Sequence, residues 1–292
     1  MAQITAKMVA ELRAKTGAGM MDCKKALEEA GGDFDKAVDV LRKKGLATAA
    51  KKAGRVAAEG RVYATVREDG RLGAMVEVNC ETDFVGRGET FIDLCREVAS
   101  VVLEKNPADM DALNQLVGDR VREAIVRTGE NMTVRRFVRY EVEGSGLVHS
   151  YIHGDGRVGV LVELQTGNDE AAAREEVKEL SHELALQIAS MRPRYVRRED
   201  VPADVVEHEK EILKAQAVNE GKKPEIAEKM VQGRLQKFFK EVCLLEQEWV
   251  KDSSKNIAAL VKETAAKVGT DITVKRFTCW EKGEGIEKRS EE

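Results

Sequence analysis

The stretch Tyr63-Ala-Thr-Val-Arg-Glu-Asp-Gly-Arg-Leu-Gly-Ala-Met-Val-Glu-Val78 decides the fold, because a diverged copy of it occurs later in the chain. The copy reads His149-Ser-Tyr-Ile-His-Gly-Asp-Gly-Arg-Val-Gly-Val-Leu-Val-Glu-Leu164, and the offset is 86 residues (Gly156 minus Gly70). Each copy has strand-like runs on both sides of an Asp-Gly turn, which is the pattern of a β-hairpin. The sequence therefore predicts one hairpin in each half of the chain.

A second repeated segment closes each half. Gly129-Glu-Asn-Met-Thr-Val-Arg-Arg-Phe137 matches Gly269-Thr-Asp-Ile-Thr-Val-Lys-Arg-Phe277, 140 residues later (269 minus 129). Helical patterns lie between hairpin and closing strand, at Phe91–Leu103, Leu113–Arg127, Glu170–Ala189 and Ile257–Val268. The predicted fold class is α+β, with a duplicated core of two subdomains, each an antiparallel three-stranded sheet covered by helices. Because its strands alternate in character, we expect one face of each sheet to be packed.

The second half carries an insertion, because the two offsets differ by 54 residues (140 minus 86). Residues 201–240 are highly charged and helical in pattern, with a break at Glu220-Gly-Lys-Lys-Pro224 and Pro224 suited to the first helical turn after it. The apolar positions are Val205, Ile212, Leu213, Ile226, Met230, Leu235 and Phe238. We predict a protruding antiparallel helical hairpin, or coiled coil, whose narrow apolar stripe indicates that its helices pack on each other. Self-association through this arm and an auxiliary partner contact are both open.

Residues 1–45 predict a compact module of three helices. Thr5 is suited to cap the first helix, with Ile4 and Val9 as a hydrophobic staple, and Asp33 to cap the third. The expected buried positions are Met8, Val9, Leu12, Cys23, Ala26, Leu27, Phe34, Ala37, Val38 and Leu41. Gly45 is expected to end the third helix as its C′ residue. A module of this size has little room for an enclosed pocket and is typical of an adaptor.

These patterns divide the chain of 292 residues into three parts. Residues 1–54 hold the helical module and an Ala- and Lys-rich linker, partly helical over 46–59. Residues 55–143 form the first core subdomain, and residues 144–288 form the second, with the helical insertion at 201–240. Apolar residues make up 42% of the chain, so each part of the core has enough hydrophobic material to pack.

Charge and cysteine content restrict the class of protein. Lys plus Arg number 48 and Asp plus Glu 52, and the resulting net charge of -4 argues against general nucleic-acid binding. Five scattered cysteines without a CxxC pair indicate reduced thiols. No apolar run approaches the roughly 20 residues that span a bilayer, and the N-terminus lacks the pattern of a signal peptide. We expect a cytoplasmic protein with no membrane and no direct nucleic-acid partner.

Motifs for catalysis or cofactor binding are weak. Gly154-Asp-Gly-Arg-Val-Gly159 matches GxGxxG, but it lies in a predicted hairpin turn and leads into a strand, whereas a dinucleotide site opens a helix. The histidines at 149, 153, 182 and 208 show no metal-ligand spacing. A Cys80–His153 nucleophile and base pair is not favoured over a buried thiol and a surface imidazole. We expect no catalytic residue, no metal site and no cofactor.

One short loop departs from ordinary packing. The first hairpin is followed by Asn79-Cys-Glu-Thr-Asp-Phe-Val-Gly-Arg-Gly88, and the matching place in the second half reads Gln165-Thr-Gly-Asn-Asp-Glu170. Phe84 thus corresponds to Glu170, which shows that the fold accepts a polar residue there. Two alternatives are open for Phe84: it packs beneath the next helix with Phe91, or it anchors a partner.

Two motifs carry a specific family resemblance. Leu12-Arg13 followed by Thr16-Gly-Ala-Gly-Met-Met-Asp-Cys-Lys-Lys-Ala-Leu27, and Glu77-Val-Asn-Cys-Glu-Thr-Asp-Phe-Val85, closely resemble signatures of the elongation factor Ts family. Gly129-Glu-Asn131 and Gly283-Glu-Gly-Ile-Glu-Lys288 are also similar to stretches of that family. The resemblance covers essentially the whole chain. It implies a ubiquitin-associated-like N-terminal module, a duplicated core and a protruding coiled coil.

The resemblance also implies a function, that of a non-enzymatic guanine-nucleotide exchange factor in translation elongation. Its partner would be the GTPase elongation factor Tu, engaged through the GTPase domain and a second domain. In the family, the loop that matches Thr82, Asp83, Phe84 and Val85 inserts its Phe between helices of the GTPase and disturbs Mg²⁺ and phosphate coordination, so that GDP leaves and GTP rebinds. Further implied contacts are Arg13, Met20, Met21, Lys24, Gly129 and His153. Exposed Met suits adaptable contacts, although we expect one of Met20 and Met21 to belong to the core.

Two other functions are open on the sequence. The first is a binding adaptor for a protein partner without exchange activity, which would tolerate loss of Phe84. The second is an RNA- or ribosome-associated factor that uses Lys51-Lys52 and Arg135-Arg136, against which the net charge of -4 speaks. A solvated connector is the simpler interpretation of Lys51-Lys52.

Overall fold

The computed structural model describes residues 4–16, 18–221 and 224–287. Its α-helices are α1 (Ala6–Thr16), α2 (Met20–Glu29), α3 (Phe34–Lys52), α4 (Asp83–Arg87), α5 (Glu89–Lys105), α6 (Met110–Thr128), α7 (Asp169–Ala173), α8 (Glu175–Met191), α9 (Ala203–Asn219), α10 (Pro224–Val242) and α11 (Ile257–Val268). Its strands are β1 (Glu59–Val66), β2 (Leu72–Cys80), β3 (Met132–Glu141), β4 (Gly146–His153), β5 (Val158–Thr166), β6 (Glu248–Trp249), β7 (Asp252–Asn256) and β8 (Ile272–Glu281). The molecule is an α+β protein with N-terminal helices and antiparallel sheets.

The two main sheets repeat each other strand for strand. One has the order β1-β2-β3 and the other β4-β5-β8, and all pairings are antiparallel. The register shifts at Glu77/Val78 in the first sheet and at Glu163/Leu164 in the second, which are equivalent positions 86 residues apart (163 minus 77). The predicted hairpins and closing strands are therefore confirmed. The GxGxxG match covers the turn between β4 and β5 and the first two residues of β5, as expected for a hairpin.

The helices after each hairpin also correspond. The short helices α4 and α7, and the longer α5 and α8, each begin 86 residues apart, and α5 and α8 both end in a left-handed residue, Asn106 and Arg192. The prediction of one helix over Glu170–Ala189 is wrong, because Arg174 has extended backbone dihedrals and separates α7 from α8. The break is equivalent to the one at Gly88 between α4 and α5. The apolar pattern around Arg174 gives no indication of it.

The two sheets pack face to face through reciprocal contacts. The Val62 N–H donates to the Gly156 carbonyl at 2.8 Å, and the equivalent Val148 N–H donates to the Gly70 carbonyl at 2.7 Å. A Cβ added to Gly159 would lie 2.3 Å from a methyl carbon of Val62, so the sheets approach where a side chain is absent. The expectation that one face of each sheet is packed is therefore met, and the opposite face is packed as well. Every residue of β2 is buried, since helices cover one face and the other sheet covers the opposite one.

Each sheet buries one carboxylate that is paired with an arginine at the equivalent position of the two halves. Arg136 Nε donates to Glu77 at 2.6 Å, and Arg276 Nε donates to Glu163 at 2.6 Å. Both carboxylates are almost fully enclosed, so each requires its guanidinium partner. Both guanidinium groups also stack on an aromatic ring from the other half of the core.

The N-terminal helices form their own core, as predicted from capping and periodicity. Asp33 accepts a hydrogen bond from the Lys36 N–H at 3.0 Å and thereby starts α3. Gly45, however, does not end that helix. It lies inside α3, which runs on to Lys52, and a Cβ there would meet a Val126 methyl carbon of α6 at 3.3 Å. Gly45 therefore permits the close approach of α3 to α6, and the linker predicted over residues 46–59 is helical in its first half.

The insertion forms the helices α9 and α10, which pack on each other. Their contacts at the base join Val205 and Val206 of α9 to Leu235, Phe238 and Phe239 of α10, which makes the pair antiparallel. Val218, near the end of α9, is exposed. The side chain of Ile226, the residues Lys222 and Lys223, and Lys288 fall outside the described part of the chain, so those predictions stay untested. Within the described residues, none of the helices is long and apolar enough to cross a lipid bilayer.

Candidate functional site

The loop after β2 presents Phe84 to solvent. Thr82 caps α4, and its Oγ1 accepts a hydrogen bond from the Val85 N–H at 3.4 Å. Phe84 is 87% exposed, whereas Phe91 is fully buried and Val85 packs against the core of the first subdomain. The alternative in which Phe84 packs beneath the next helix is therefore excluded. An aromatic side chain so exposed on a helix of five residues has no role in the packing of this chain.

A carboxylate from the short connection between α6 and β3 holds this loop in place. Glu130 accepts hydrogen bonds from the backbone N–H groups of Glu81 and Thr82 at 3.1 and 3.0 Å, and from Thr82 Oγ1 at 2.6 Å. In return, Glu81 accepts from the Asn131 N–H at 2.6 Å. Sequence reasoning did not place Glu130 in the site; the available signal was its position within the family-like stretch Gly129-Glu-Asn131.

The thiol beneath the loop is structural. Cys80 Sγ donates to the Thr82 carbonyl at 3.1 Å, and burial raises the pKa of the Cys80 thiol to about 12. A thiol with such a pKa is protonated at neutral pH and is not a nucleophile. His153, the other half of the considered pair, instead shares a hydrogen bond with the Tyr151 hydroxyl at 2.9 Å.

The turn of the second hairpin meets the loop of the first half. Gly154 and Asp155 line one cleft together with Asp83, Gly86 and Arg87. Arg87 is paired with Asp83 at 3.1 Å within α4. His153 is the residue immediately before this turn and is exposed. The structure thus brings His153 and the Phe84 loop to the same side of the molecule.

The four N-terminal candidates share one helical module. Met20 and Met21 are 56% and 62% exposed, and Arg13 and Lys24 are exposed as well. The expectation that one of the two methionines belongs to the core is wrong, because the buried positions of α2 are filled by Cys23, Ala26 and Leu27, which leaves the first turn of the helix outside.

Gly129 caps the C-terminal end of α6 and contacts the end of α3. It ends α6 in the left-handed conformation with φ 77°, and Gly269 ends α11 in the same way. The Gly129 carbonyl accepts a hydrogen bond from Lys52 Nζ at the end of α3. This residue therefore joins the N-terminal module to the segment that carries Glu130.

The histidines do not form a metal site in the described part of the chain, where no group of three or more potential ligands comes together. His149 Nε2 and His182 Nδ1 share a hydrogen bond at 3.3 Å. Burial, and secondarily the neighbouring His182, lower the pKa of His149 to about 4, so this imidazole is neutral near pH 7. His149 is thus a neutral, hydrogen-bonded side chain that packs beside α8.

Comparison with known proteins gives concordant results. The family model described as "Elongation factor TS" matches residues 81–284. A protein named elongation factor Ts from Symbiobacterium thermophilum is 72% identical over 292 residues, which covers 100% of this chain and 96% of the relative. Proteins of the same name from Clostridium perfringens and Clostridium botulinum are 52% and 51% identical over 295 residues, each covering 99% of this chain and 96% of the relative.

Proposed function

The chain belongs to the elongation factor Ts family, the nucleotide exchange factors of elongation factor Tu, and from this premise we propose that it releases GDP from that GTPase through residues 82–85, here called the wedge loop. The observation that carries the proposal is the exposure of Phe84, at 87%, on a loop that is fixed by the surrounding hydrogen bonds. An aromatic anchor held rigidly outside the core is the kind of residue that dominates binding energy at protein interfaces.

The proposed mechanism is mechanical and involves no covalent step. Phe84 enters between helices of the GTPase domain, with Asp83 as its polar companion, and displaces the elements that support the nucleotide. The Mg²⁺ of the GTPase demands near-ideal octahedral geometry, so a small displacement of its ligands weakens its hold on the phosphates. By linkage, the factor binds nucleotide-free Tu more tightly than Tu·GDP by the same ratio as it lowers the affinity for GDP. GTP then rebinds and releases the factor.

Two further surfaces are assigned to the same partner. The exposed Arg13, Met20, Met21 and Lys24 would dock the N-terminal module on the GTPase domain, where Met adapts to an irregular surface. His153 and Gly129 would make additional contacts. His153 lies beside the cleft that joins the second hairpin to α4, so its contact and that of Phe84 are compatible with one partner face, extending to a second domain of Tu.

The finer organisation of the fold is part of the proposal. Residues 1–54 would act as a ubiquitin-associated-like module with its linker, residues 55–143 and 144–288 as duplicated core subdomains, and residues 201–240 as a protruding coiled coil. The matching bulges, ion pairs and helix ends of the two halves support a duplication. For the helical arm we infer self-association or an auxiliary contact with Tu. If deletion of residues 201–240 changed neither self-association nor binding to Tu, this inference about the arm would be contradicted.

Three of the four cations named for the RNA-binding alternative are engaged within the protein. Arg135 Nη1 lies 3.1 Å from the buried Glu77 carboxylate, to which Arg136 is also bound, and Lys52 is bound to the Gly129 carbonyl. Arg135 and Arg136 are thus paired with a carboxylate of the protein itself, and Lys52 is hydrogen-bonded to a backbone carbonyl, so these three cations are not free to bind phosphates.

The experiment that tests the function is stopped-flow release of a fluorescent GDP from elongation factor Tu, with the wild-type chain and with Phe84→Ala. We expect the wild type to accelerate release by orders of magnitude and the variant to lose at least about tenfold of that acceleration. Binding of Tu without any change of the release rate would make the chain an adaptor and would contradict the proposal. A wild-type release rate for Phe84→Ala would contradict the role of the wedge loop.

A further inference from the structure

Glu130 occupies the point where the end of β2 and the start of β3 meet beside the wedge loop. We propose that Glu130 is a positioning residue of the exchange reaction, whose carboxylate fixes the wedge loop so that Phe84 is presented to the GTPase. The proposal rests on the exchange function assigned above and adds to it a residue outside the loop. It concerns orientation only, since Glu130 itself is only half-exposed and does not have to touch the partner.

The geometry of the contact is that of a clamp. Glu130 Oε2 accepts from two successive backbone N–H groups, those of Glu81 and Thr82, at 3.1 and 3.0 Å. Glu130 Oε1 accepts from Thr82 Oγ1 at 2.6 Å. Hydrogen bonds to an ionised acceptor are the stronger kind, and three of them converge on the two residues that precede Asp83. The backbone direction at the start of α4 is thereby set from one side.

The other side of the wedge loop is held by packing. Val85 lies against the core of the first subdomain, and the Cys80 thiol donates to the Thr82 carbonyl. Phe84 stands between these two supports and has no packing contact of its own to keep it in place, as its exposure shows. A partner therefore meets a side chain whose orientation was fixed before binding, which lowers the entropy lost on association.

The second half of the core shows that the fold does not need this clamp. Adding the offsets of 86 and 140 residues, Glu81 corresponds to Gly167 and Glu130 to Thr270. There the strands are joined by a backbone bond from the Gly167 N–H to the Asp271 carbonyl at 3.1 Å. The cap of α7 forms nonetheless, with Asn168 Oδ1 accepting from the Ala171 N–H at 2.8 Å. The carboxylate clamp is thus present in the half that displays Phe84 and absent from the half that has Glu170.

The test is the GDP release assay with elongation factor Tu, using Glu130→Ala over a range of factor concentrations. We expect the maximal release rate to fall about tenfold, equivalent to about 1.4 kcal/mol. The concentration that gives half of the maximal rate should change less than about threefold, because the N-terminal docking surface is untouched. Glu130→Gln keeps the length and one acceptor oxygen and should restore most of the rate. Thr270→Ala, the equivalent position in the second half, should retain the wild-type rate.

A double variant separates positioning from general damage. If Glu130 acts through Phe84, Glu130→Ala should change the rate less than about twofold in a Phe84→Ala background. Additive losses would overturn the proposal, as would a wild-type rate for Glu130→Ala. Should thermal unfolding show that Glu130→Ala is not folded, Glu130→Asp, which is one methylene too short to reach both N–H groups, takes its place with the same expectation. Absence of exchange in the wild type would instead overturn the proposed function itself.

Discussion

The short helices α4 and α7 are the same structural element with different chemistry. Both have five residues, both follow the central strand of a sheet, and both begin at a side chain that caps the helix, Thr82 in one and Asn168 in the other. The first presents Phe84 and the second presents Glu170 at the equivalent position. The duplicated framework therefore holds a side chain at the same place in both halves, and under the proposed function it is the aromatic side chain of Phe84 that makes this place a partner contact.

The hydrogen bonds that hold the two short helices in place also differ between the halves. In the first half, the carboxylates of Glu81 and Glu130 link the strand ends by hydrogen bonds to backbone N–H groups. In the second half, one backbone bond between Gly167 and Asp271 is sufficient. Because the second half folds without them, the fold does not require the added hydrogen bonds, which is consistent with the proposal that they position Phe84. The following predictions test how far the two halves are equivalent, and where they are not.

The largest effect is expected where the two halves are alike. Gly60 and Gly146 are equivalent, with φ of 125° and 154°, and a Cβ on either would lie 2.2 or 2.1 Å from a strand carbonyl oxygen. Gly60→Ala and Gly146→Ala should each lower the free energy of unfolding by about 4 kcal/mol, measured by denaturant titration. Gly144→Ala is the control, because its φ is 75° with open space around it, and should cost about 1 kcal/mol. A loss confined to one half would contradict the equivalence.

A smaller effect should distinguish the buried ion pairs. In Arg276→Ala, Glu163 loses the guanidinium that lies 2.6 Å away, and we expect a loss of about 3 kcal/mol in the free energy of unfolding. In Arg136→Ala, Glu77 still has Arg135 at 3.1 Å, so we expect a loss of about 1 kcal/mol. Each variant removes one guanidinium stacked on one aromatic ring, which makes them matched controls for each other. Equal losses would show that Arg135 does not compensate.

The smallest effect concerns pH and the second half alone. The pKa of His149 is lowered from 6.5 to about 4 by burial, so the unfolded chain binds a proton between these values and the folded chain does not. Stability should therefore be complete above pH 6.5 and fall as the pH drops towards 4. Since the imidazole is partly solvated, we expect the fall to be about 1 kcal/mol. His149→Gln should flatten this part of the profile in thermal unfolding, and an unchanged profile would assign it to other groups.

Much of this architecture could be predicted because its causes are local. The Asp-Gly turns define the hairpins, Asp33 caps α3, and Ile257–Val268 is a helix with the predicted bounds because Asn256 and Gly269 delimit it. The exposure of Phe84 could be suspected from comparison of the two halves, since Glu170 showed that the position needs no apolar residue, and the family resemblance implied it as well.

The remaining features depend on contacts between distant parts of the chain. Glycine is a residue type that commonly ends helices, but α3 continues through Gly45 because this position packs closely on α6. The burial of both sheet faces follows from the other half of the core, which no alternation within a strand reveals. Glu130 binds backbone N–H groups 48 and 49 residues away. Every residue except proline has such a group, so the sequence does not show which of them Glu130 binds. Both methionines of α2 are exposed for the related reason that the module core is already filled.

The central claim, that the same element is active in one half and silent in the other, is tested most directly by paired variants in the GDP release assay with elongation factor Tu. Phe84→Ala and Glu170→Ala change equivalent positions, and circular dichroism and thermal unfolding confirm that both are folded. We predict that Phe84→Ala lowers the release rate at least about tenfold, while Glu170→Ala stays within about twofold of the wild type. Equal losses in the two variants, or a wild-type rate for Phe84→Ala, would contradict the account.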